Sequence, residues 1–314
     1  MKGLAKRRPT KPASRAFFWL FAGLFAALPG TGSEGAEILV SLDYAYLPEA
    51  SGLAPSQREE DRIWAINDSG NGAELIAVGL SSGSHHVMTL PGVRNRDWED
   101  LAAFSLAGQP WLAIGDIGDN GGRRSQLRVH LLPEPEEPLP ESVPVHSTLT
   151  LRYPDGARDA EALAVDSITR TLYILSKRDA LPRLYRAPIP ALEPNSEHEL
   201  VLEFLGEVTS IPPPTAEERR ALPFGRFRAQ PTGMDASIDQ PTLVLLTYGR
   251  AYRASLDENR DWLRALNTQL CPKERVELKQ AESITIDTRG RILLSSEGRD
   301  APLVRINPAC QASP

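Results

Sequence analysis

Five stretches of this chain share one register, and that repetition limits the fold more than any other feature. EASGLAPS from Glu49, DWEDLAAF from Asp97, DAEALAVD from Asp159, QPTGMDAS from Gln230 and QAESITID from Gln280 align without a gap. Their third positions read Ser51, Glu99, Glu161, Thr232 and Glu282, spaced 48, 62, 71 and 50 residues apart, and the fifth is always large and apolar. Each copy is followed by a second apolar run with a polar exit (IWAINDSG, WLAIGDIGD, LYILSKRD, LVLLTYGR, ILLSSEGRD) and then by a third run. In the first four copies a fourth follows: HHVMTL, STLTLRY, ELVLEFL and RVELK.

Short apolar runs punctuated by Gly, Asn, Asp and Pro are strands and turns. Four strands per unit, recurring at these intervals, predict an all-β chain folded as a β-propeller. Five four-stranded blades are expected, and the 71-residue interval around PPPTAEERRALPFGRF leaves room for a sixth. The fifth unit lacks its last strand. ILVSLD (38 to 43) supplies it by pairing the chain's beginning with its end, which hides strand edges that would otherwise aggregate. DENRDWLRALNTQL (257 to 270) reads as a helix packed on the rim, and EPEEPLPESVP (134 to 144) as a solvated loop.

Residues 1–36 read as a separate segment. Six basic residues precede AFFWLFAGLFAAL, which is followed by small residues: the order of a secretory signal peptide. The apolar run is short of the roughly 20 residues that span a bilayer, although an uncleaved anchor is the alternative. With no membrane anchor left after processing, residues 37–314 form the propeller domain, periplasmic or secreted. Removing six basic residues and Glu34 leaves 29 basic against 40 acidic side chains. So acidic a surface excludes nucleic acid as a partner, because phosphate binding needs clustered Lys and Arg. In an oxidising compartment Cys271 and Cys310 form one disulfide that locks the closing seam; two free thiols or half a metal site are the alternatives.

Inner strands of a propeller start at one rim of the central channel, and second strands return to it. The candidate ligand or metal positions on that rim are Glu49, Asp68, Asp97, Glu99, Asp116, Asp119, Asp159, Glu161, Glu282 and Glu297. Ser51, Asn67, Lys177, Thr232, Tyr248 and Arg250 complete it. Two carboxylates about 6 Å apart repel by roughly 3 kcal/mol at an effective dielectric of about 20. Such a ring binds a cation, pairs with Arg or Lys, or takes up protons. A hard-oxygen set without convergent His or Cys favours calcium over zinc or copper. The alternative is structural: acids at strand starts accept neighbouring backbone amides and hold the blades together. GLSSG (79 to 83) fits a nucleophile motif literally, but no helix pattern follows it, so Ser81 is read as a hairpin serine.

The ordered set RDWEDLA, GDIGDN, YPDGARDAEALAVD, LYILSK, TGMDAS, TYGRAYR and AESITI with LLSSEG resembles a family of exported, largely uncharacterised bacterial β-propeller proteins, from about Glu49 to Ile306. More distantly the chain is similar in architecture to the phytase-like and the gluconolactonase and paraoxonase propellers. Those enzymes hold calcium over the channel and hydrolyse esters, lactones or phosphoesters. Only the short Glu-x-Leu/Ile starts match here, and Ser51 and Thr232 interrupt the column, so those enzymes' ligands are not carried over. Three expectations follow: a propeller that binds a small molecule at its acidic rim, with a divalent cation; a calcium-dependent hydrolase; or a scaffold for another envelope protein.

Overall fold

The inner two strands of each repeat are apolar along nearly their whole length because both faces are covered by neighbouring blades. A computed structural model describes residues 36–220, 225–268, 270–275, 278 and 280–306. The expected signal segment (1–36), apart from its last residue Ala36, which opens the first strand, lies outside the described residues, as does Cys310.

The chain enters on β1 (Ala36–Ser41) and builds blade one from β2 (Ala50–Pro55), β3 (Arg62–Asn67), β4 (Glu74–Gly79) and β5 (His85–Thr89). Blade two is β6 (Trp98–Leu106), β7 (Gln109–Asp116), β8 (Leu127–Pro133) and β9 (Ser147–Arg152). Blade three is β10 (Ala160–Asp166), β11 (Thr171–Ser176) and β12 (Arg183–Pro188). Next come β13 (Ser196–Val201) and β14 (Glu203–Glu207), and only β14 joins blade three. Blade four is β15 (Pro231–Ala236), β16 (Thr242–Thr247), β17 (Arg250–Ser255) and β18 (Cys271–Arg275). Blade five is β19 (Ala281–Ile286), β20 (Ile292–Ser296) and β21 (Pro302–Ile306), completed by β1.

The inner strands β2, β6, β10, β15 and β19 touch in that order, and β19 returns to β2. The ring therefore has five blades. The 71-residue interval holds a five-residue helix, α1 (Ala216–Arg220), and a 3-10 turn at Gly225–Phe227, with no sixth sheet among the described residues. The expected closing strand is present: Ala36 to Ser41 run antiparallel to Ile306 to Pro302.

The core lies in five slabs, one per blade interface. Between blades one and two, Trp64 and Trp98 are fully buried. Phe104, Leu163 and Tyr185 fill the next slab, and Tyr173, Met234 and Trp262 the one after. Each such side chain contributes about 1.5 to 3 kcal/mol when withdrawn from water. The helix expected over 257 to 270 is shorter, α2 (Trp262–Thr268), and it wedges between blades. There Trp262 stacks on Tyr173 with ring centres 4.0 Å apart and donates its indole N–H to the buried Asp166, 3.2 Å away.

Three strand-level expectations change. ELVLEFL is not one strand: Leu202 donates its amide to Arg152 O (2.8 Å), so the run before it pairs parallel to β9 as a fifth strand of blade two. The outer strand of blade four begins at Cys271, ahead of RVELK, part of which lies outside the described residues. The loop from Glu134 is docked at its start, while Glu136 to Pro138 and Pro140 to Ser142 are exposed as expected. Glu134 is 1% exposed and accepts from Gln57 N (3.0 Å), Trp64 Nε1 (3.0 Å) and Ser56 Oγ of blade one.

Candidate functional site

Every inner strand carries a bulge at the same place. Ala50 pairs with Asn67 and Gly52 with Ile66, so Ser51 has no cross-strand partner. Glu99, Glu161, Thr232 and Glu282 are skipped in the same way in the other four blades. A bulge inserts one unpaired residue and re-aims its side chain. Repeated five times, it turns the third position of each repeat toward the axis, and all five residues line one funnel of about 190 Å³. A pattern of apolar and polar letters does not reveal this register break, so the sequence gives the positions without their cause.

The five bulge residues divide into two jobs. Ser51 Oγ donates to Trp98 O of the next blade (3.1 Å), and Thr232 Oγ1 donates to Ala281 O of the next blade (2.7 Å). These two are staples. The three glutamates are buried in the funnel wall and point no hydroxyl at a neighbour.

The exit positions form a second ring. Asp68, Lys177, Tyr248 and Glu297 each donate a backbone N–H to the carbonyl of the first residue of their repeat, at 2.9, 3.0, 3.3 and 3.1 Å, and all four side chains line the funnel. In blade two this bond is made by Gly118, to Asp97 O at 3.1 Å. Asp116 was expected here, but it pairs with Trp98, one position earlier, in register with Asn67, Ser176, Thr247 and Ser296. Its carboxylate meets the buried Arg124 at 2.8 Å and does not line the funnel.

Other expected rim residues also stand back. Asn67 clips a turn, accepting Glu49 N (3.1 Å) and donating to Tyr46 O (2.8 Å). Glu49 is exposed and accepts from Asn71 (2.7 Å). Asp119 accepts Arg124 N (2.6 Å), while its own amide donates to Asp159 Oδ1 (2.8 Å), the blade-to-blade bond foreseen for acids at strand starts. Arg250 faces Glu218 at 3.6 Å, away from the axis. Asn120, Arg178 and Gln280 join the lining.

Inside the funnel the charges are unevenly matched. Lys177 is 5% exposed, is paired with Glu161, donates to Tyr248 Oη (2.8 Å) and sits 4.8 Å from that ring's centre. Tyr248 in turn hydrogen-bonds Glu282. Arg178 is paired with Asp159. Glu99 is 6% exposed and makes no hydrogen bond or ion pair among the described residues. It belongs to both carboxylate triads, Asp68–Asp97–Glu99 and Glu99–Asp159–Glu161, whose nearest oxygens all lie within 4.8 Å of one another.

The titration behaviour follows. Burial pushes Glu99 well above the usual carboxylate range, Glu161, Asp68 and Asp97 add to the shift, and Lys177 opposes it. Burial lifts Glu161 to about 8 against the pull of Lys177, Glu297 to about 7 and Asp68 to about 6. Burial also raises Asp97 and, strongly, Glu282. For Lys177 burial acts downward, but Glu161 and Glu282 outweigh it and hold the ammonium above its ordinary value.

Two buried acids that the repeat pattern did not single out tie neighbouring blades together. Asp100 is fully buried and accepts Leu101 N (2.9 Å), Leu163 N (2.8 Å) and Met234 N (3.0 Å), joining blades two, three and four. Asp235 accepts Ala236 N (2.8 Å), Thr285 Oγ1 (2.6 Å) and Ile286 N (3.2 Å), joining blades four and five. Their signal in the sequence was an acid inside an otherwise apolar run.

No family model and no curated protein matches the chain. Among solved structures it is similar to the major Malassezia sympodialis allergen Mala s 1, at 11% identity over 90% of this chain and 98% of that one, with a TM-score of 0.52. It is also similar to the soluble aldose sugar dehydrogenase of Escherichia coli in its apo form (13% identity, 87% and 99% covered, TM-score 0.47). A third is the PQQ-bound aldose sugar dehydrogenase of Streptomyces coelicolor (14%, 90% and 100%, TM-score 0.41). At such identities the likeness is one of fold.

Proposed function

We propose that this chain is an exported β-propeller that binds a small polar ligand through a calcium ion held by Asp68, Asp97 and Glu99 at the funnel. One observation supports the reading above the others: Glu99 is a buried carboxylate with no ion pair among the described residues, while its neighbours Glu161 and Asp159 already pair with Lys177 and Arg178. An unpaired buried charge is strongly unfavourable, so Glu99 holds a proton that an arriving cation would replace. Two oxygens bound to one calcium ion at about 2.4 Å are at most about 4.8 Å apart, so the triad's spacing suits a single ion. A set made only of oxygens suits calcium over softer metals. The ligand is polar because every residue lining the funnel is polar, and the ring of Tyr248 is its one aromatic surface.

The test is calorimetric titration of the chelator-treated protein with calcium, magnesium and manganese, alongside thermal melting. A ligand that binds only the folded state raises the melting temperature. No heat and no shift with any of the three would remove the cation and leave the scaffold reading ahead.

Cation-dependent hydrolysis is the second reading, favoured by Glu161. Its place in a triad with Glu99, and the burial that raises its pKa above the usual carboxylate range, suit it to accept a proton beside the cation. The cation would supply polarisation of a carbonyl or phosphoryl oxygen. Ester, lactone or phosphoester turnover that Glu161→Gln abolishes would establish it; cation binding without turnover leaves the binder.

A further inference from the structure

We propose that Gly118 is the positioning residue of this cation site: it lacks a side chain where the other four blades place one, and so lets Asp97 and Glu99 converge. The inference rests on the cation-binding reading given above and asks what creates the room for it.

Five backbone amides make the same bond to the head of their own repeat, and four carry funnel-lining side chains, Asp68, Lys177, Tyr248 and Glu297. The fifth is Gly118. A Cβ built there would stand 2.0 Å from Glu99 Oε1 and 2.7 Å from both Cγ and Oδ2 of Asp97. Those are two of the three carboxylates of the proposed site. The φ of Gly118 lies outside the left-handed region, so its backbone does not demand glycine. Space is the remaining reason.

The loop has no freedom to retreat. Arg124, 7% exposed, donates through Nη1 to Gly118 O (2.6 Å) and through Nη2 to Asp116 O (3.1 Å), and it pairs with the Asp116 carboxylate at 2.8 Å. Gly118 N is fixed to Asp97 O. An added methyl would therefore displace the ends of the Glu99 and Asp97 side chains rather than the backbone. Because Glu99 is nine-tenths buried, faces the funnel and has no hydrogen-bond or ion-pair partner among the described residues, that displacement falls on the group the ion needs most. The GDIGDN motif thus serves the site through a missing side chain; Asp116 and Asp119 brace the loop.

The experiment is calcium titration of the purified wild type, Gly118→Ala, Glu99→Asp and the double variant, with melting in chelator as the fold control. Gly118→Ala is expected to melt within about 2 °C of wild type and to bind calcium at least tenfold more weakly. In the Glu99→Asp background the closer of the two clashes is relieved while that with Asp97 remains, so adding Gly118→Ala should cost clearly less affinity there than in wild type, a coupling of the kind double-mutant cycles isolate. Wild-type affinity in Gly118→Ala would overturn this inference alone. If Gly118→Ala fails to fold, the double variant decides: a chain that folds again once Glu99 is shortened supports the clash, and one that stays unfolded overturns it. A wild type that binds no calcium, magnesium or manganese overturns the site itself, and this inference with it.

Discussion

Replacing Glu99 by Gln should move stability in opposite directions with and without calcium. In chelator, an ionised Glu99 lies within 4.8 Å of carboxylate oxygens on Asp68 and Asp97. At an effective dielectric of about 20 each ionised neighbour adds roughly 3 kcal/mol of repulsion. Burial first, and this repulsion second, keep a proton on Glu99, which is why its folded pKa stands well above that of the unfolded chain. A carboxyl with a raised folded pKa is harmless below its unfolded value, and it destabilises the fold progressively as pH rises toward the folded one. Gln is neutral in both states and has nearly the same shape, and its amide can donate to Asp97 or Asp68. At pH 8 without calcium, Glu99→Gln is therefore expected to stabilise the protein by about 2 kcal/mol, or roughly 5 °C in Tm for a domain of this size. With calcium at about 100 times its Kd, the wild type gains about 2.7 kcal/mol and the variant gains little. The two melting temperatures should cross: variant above wild type in chelator, below it in calcium. Differential scanning calorimetry at pH 8 under both conditions reads this directly. A variant that melts lower in chelator, or keeps the full calcium shift, would refute the account of Glu99 as a charge awaiting a partner.

The remaining predictions concern the same charges and the closing seam. Asp68, Asp235, Glu297 and Glu161 have folded pKa values of about 6, 7, 7 and 8, all above their unfolded values, so the native state binds more protons than the unfolded one between roughly pH 4 and 8. Stability in chelator, measured by urea unfolding, should fall as pH rises through that window, and a rise would contradict the burial of these acids. Lys177→Met leaves Glu161 and Glu282 without their ammonium and should lower stability by about 3 kcal/mol in chelator, with partial recovery in calcium as a second ion takes its place. A disulfide between Cys271 and Cys310 should contribute up to about 4 kcal/mol. Reduction, Cys271→Ser and Cys310→Ser should then lower Tm equally, with no added effect on combining them.

The fold was legible because a propeller's inner strands are covered on both faces, so each repeat keeps an unbroken apolar run with a polar head. That head marked Glu99, Glu161 and Glu282, and the unpaired fifth unit pointed to the strand that closes the ring. Register was not legible. In GDIGD one extra residue sets Asp116 back by a position, and an alignment of apolar runs absorbs such a slip without trace. The split at Leu202 was hidden for a related reason: alternation continues across it while the hydrogen-bond partner changes from one blade to the next. Asp100 and Asp235 were passed over because an acid within an apolar run is legible only once its backbone donors, contributed by other blades, are known.

Five-fold architecture and function impose different demands on the same positions, and the third residue of each repeat shows how both are met. Ser51 and Thr232 spend their hydroxyls on the next blade's carbonyl, so the ring has polar staples that carry no charge. That frees the other three positions to carry carboxylates. If all three were matched by resident cations the funnel would be an inert salt cluster. Glu161 and Glu282 instead share the one ammonium of Lys177, with the Tyr248 hydroxyl bridging it to Glu282. The exit of blade two could have matched the third, had Gly118 been a lysine like its counterpart Lys177 in blade three. Instead the fold leaves Glu99 buried at the funnel wall, crowded by carboxylates and without an ion pair among the described residues. A closed ring of five well-packed interfaces has stability to spend on one such defect, and a defect of this sign is relieved by a cation.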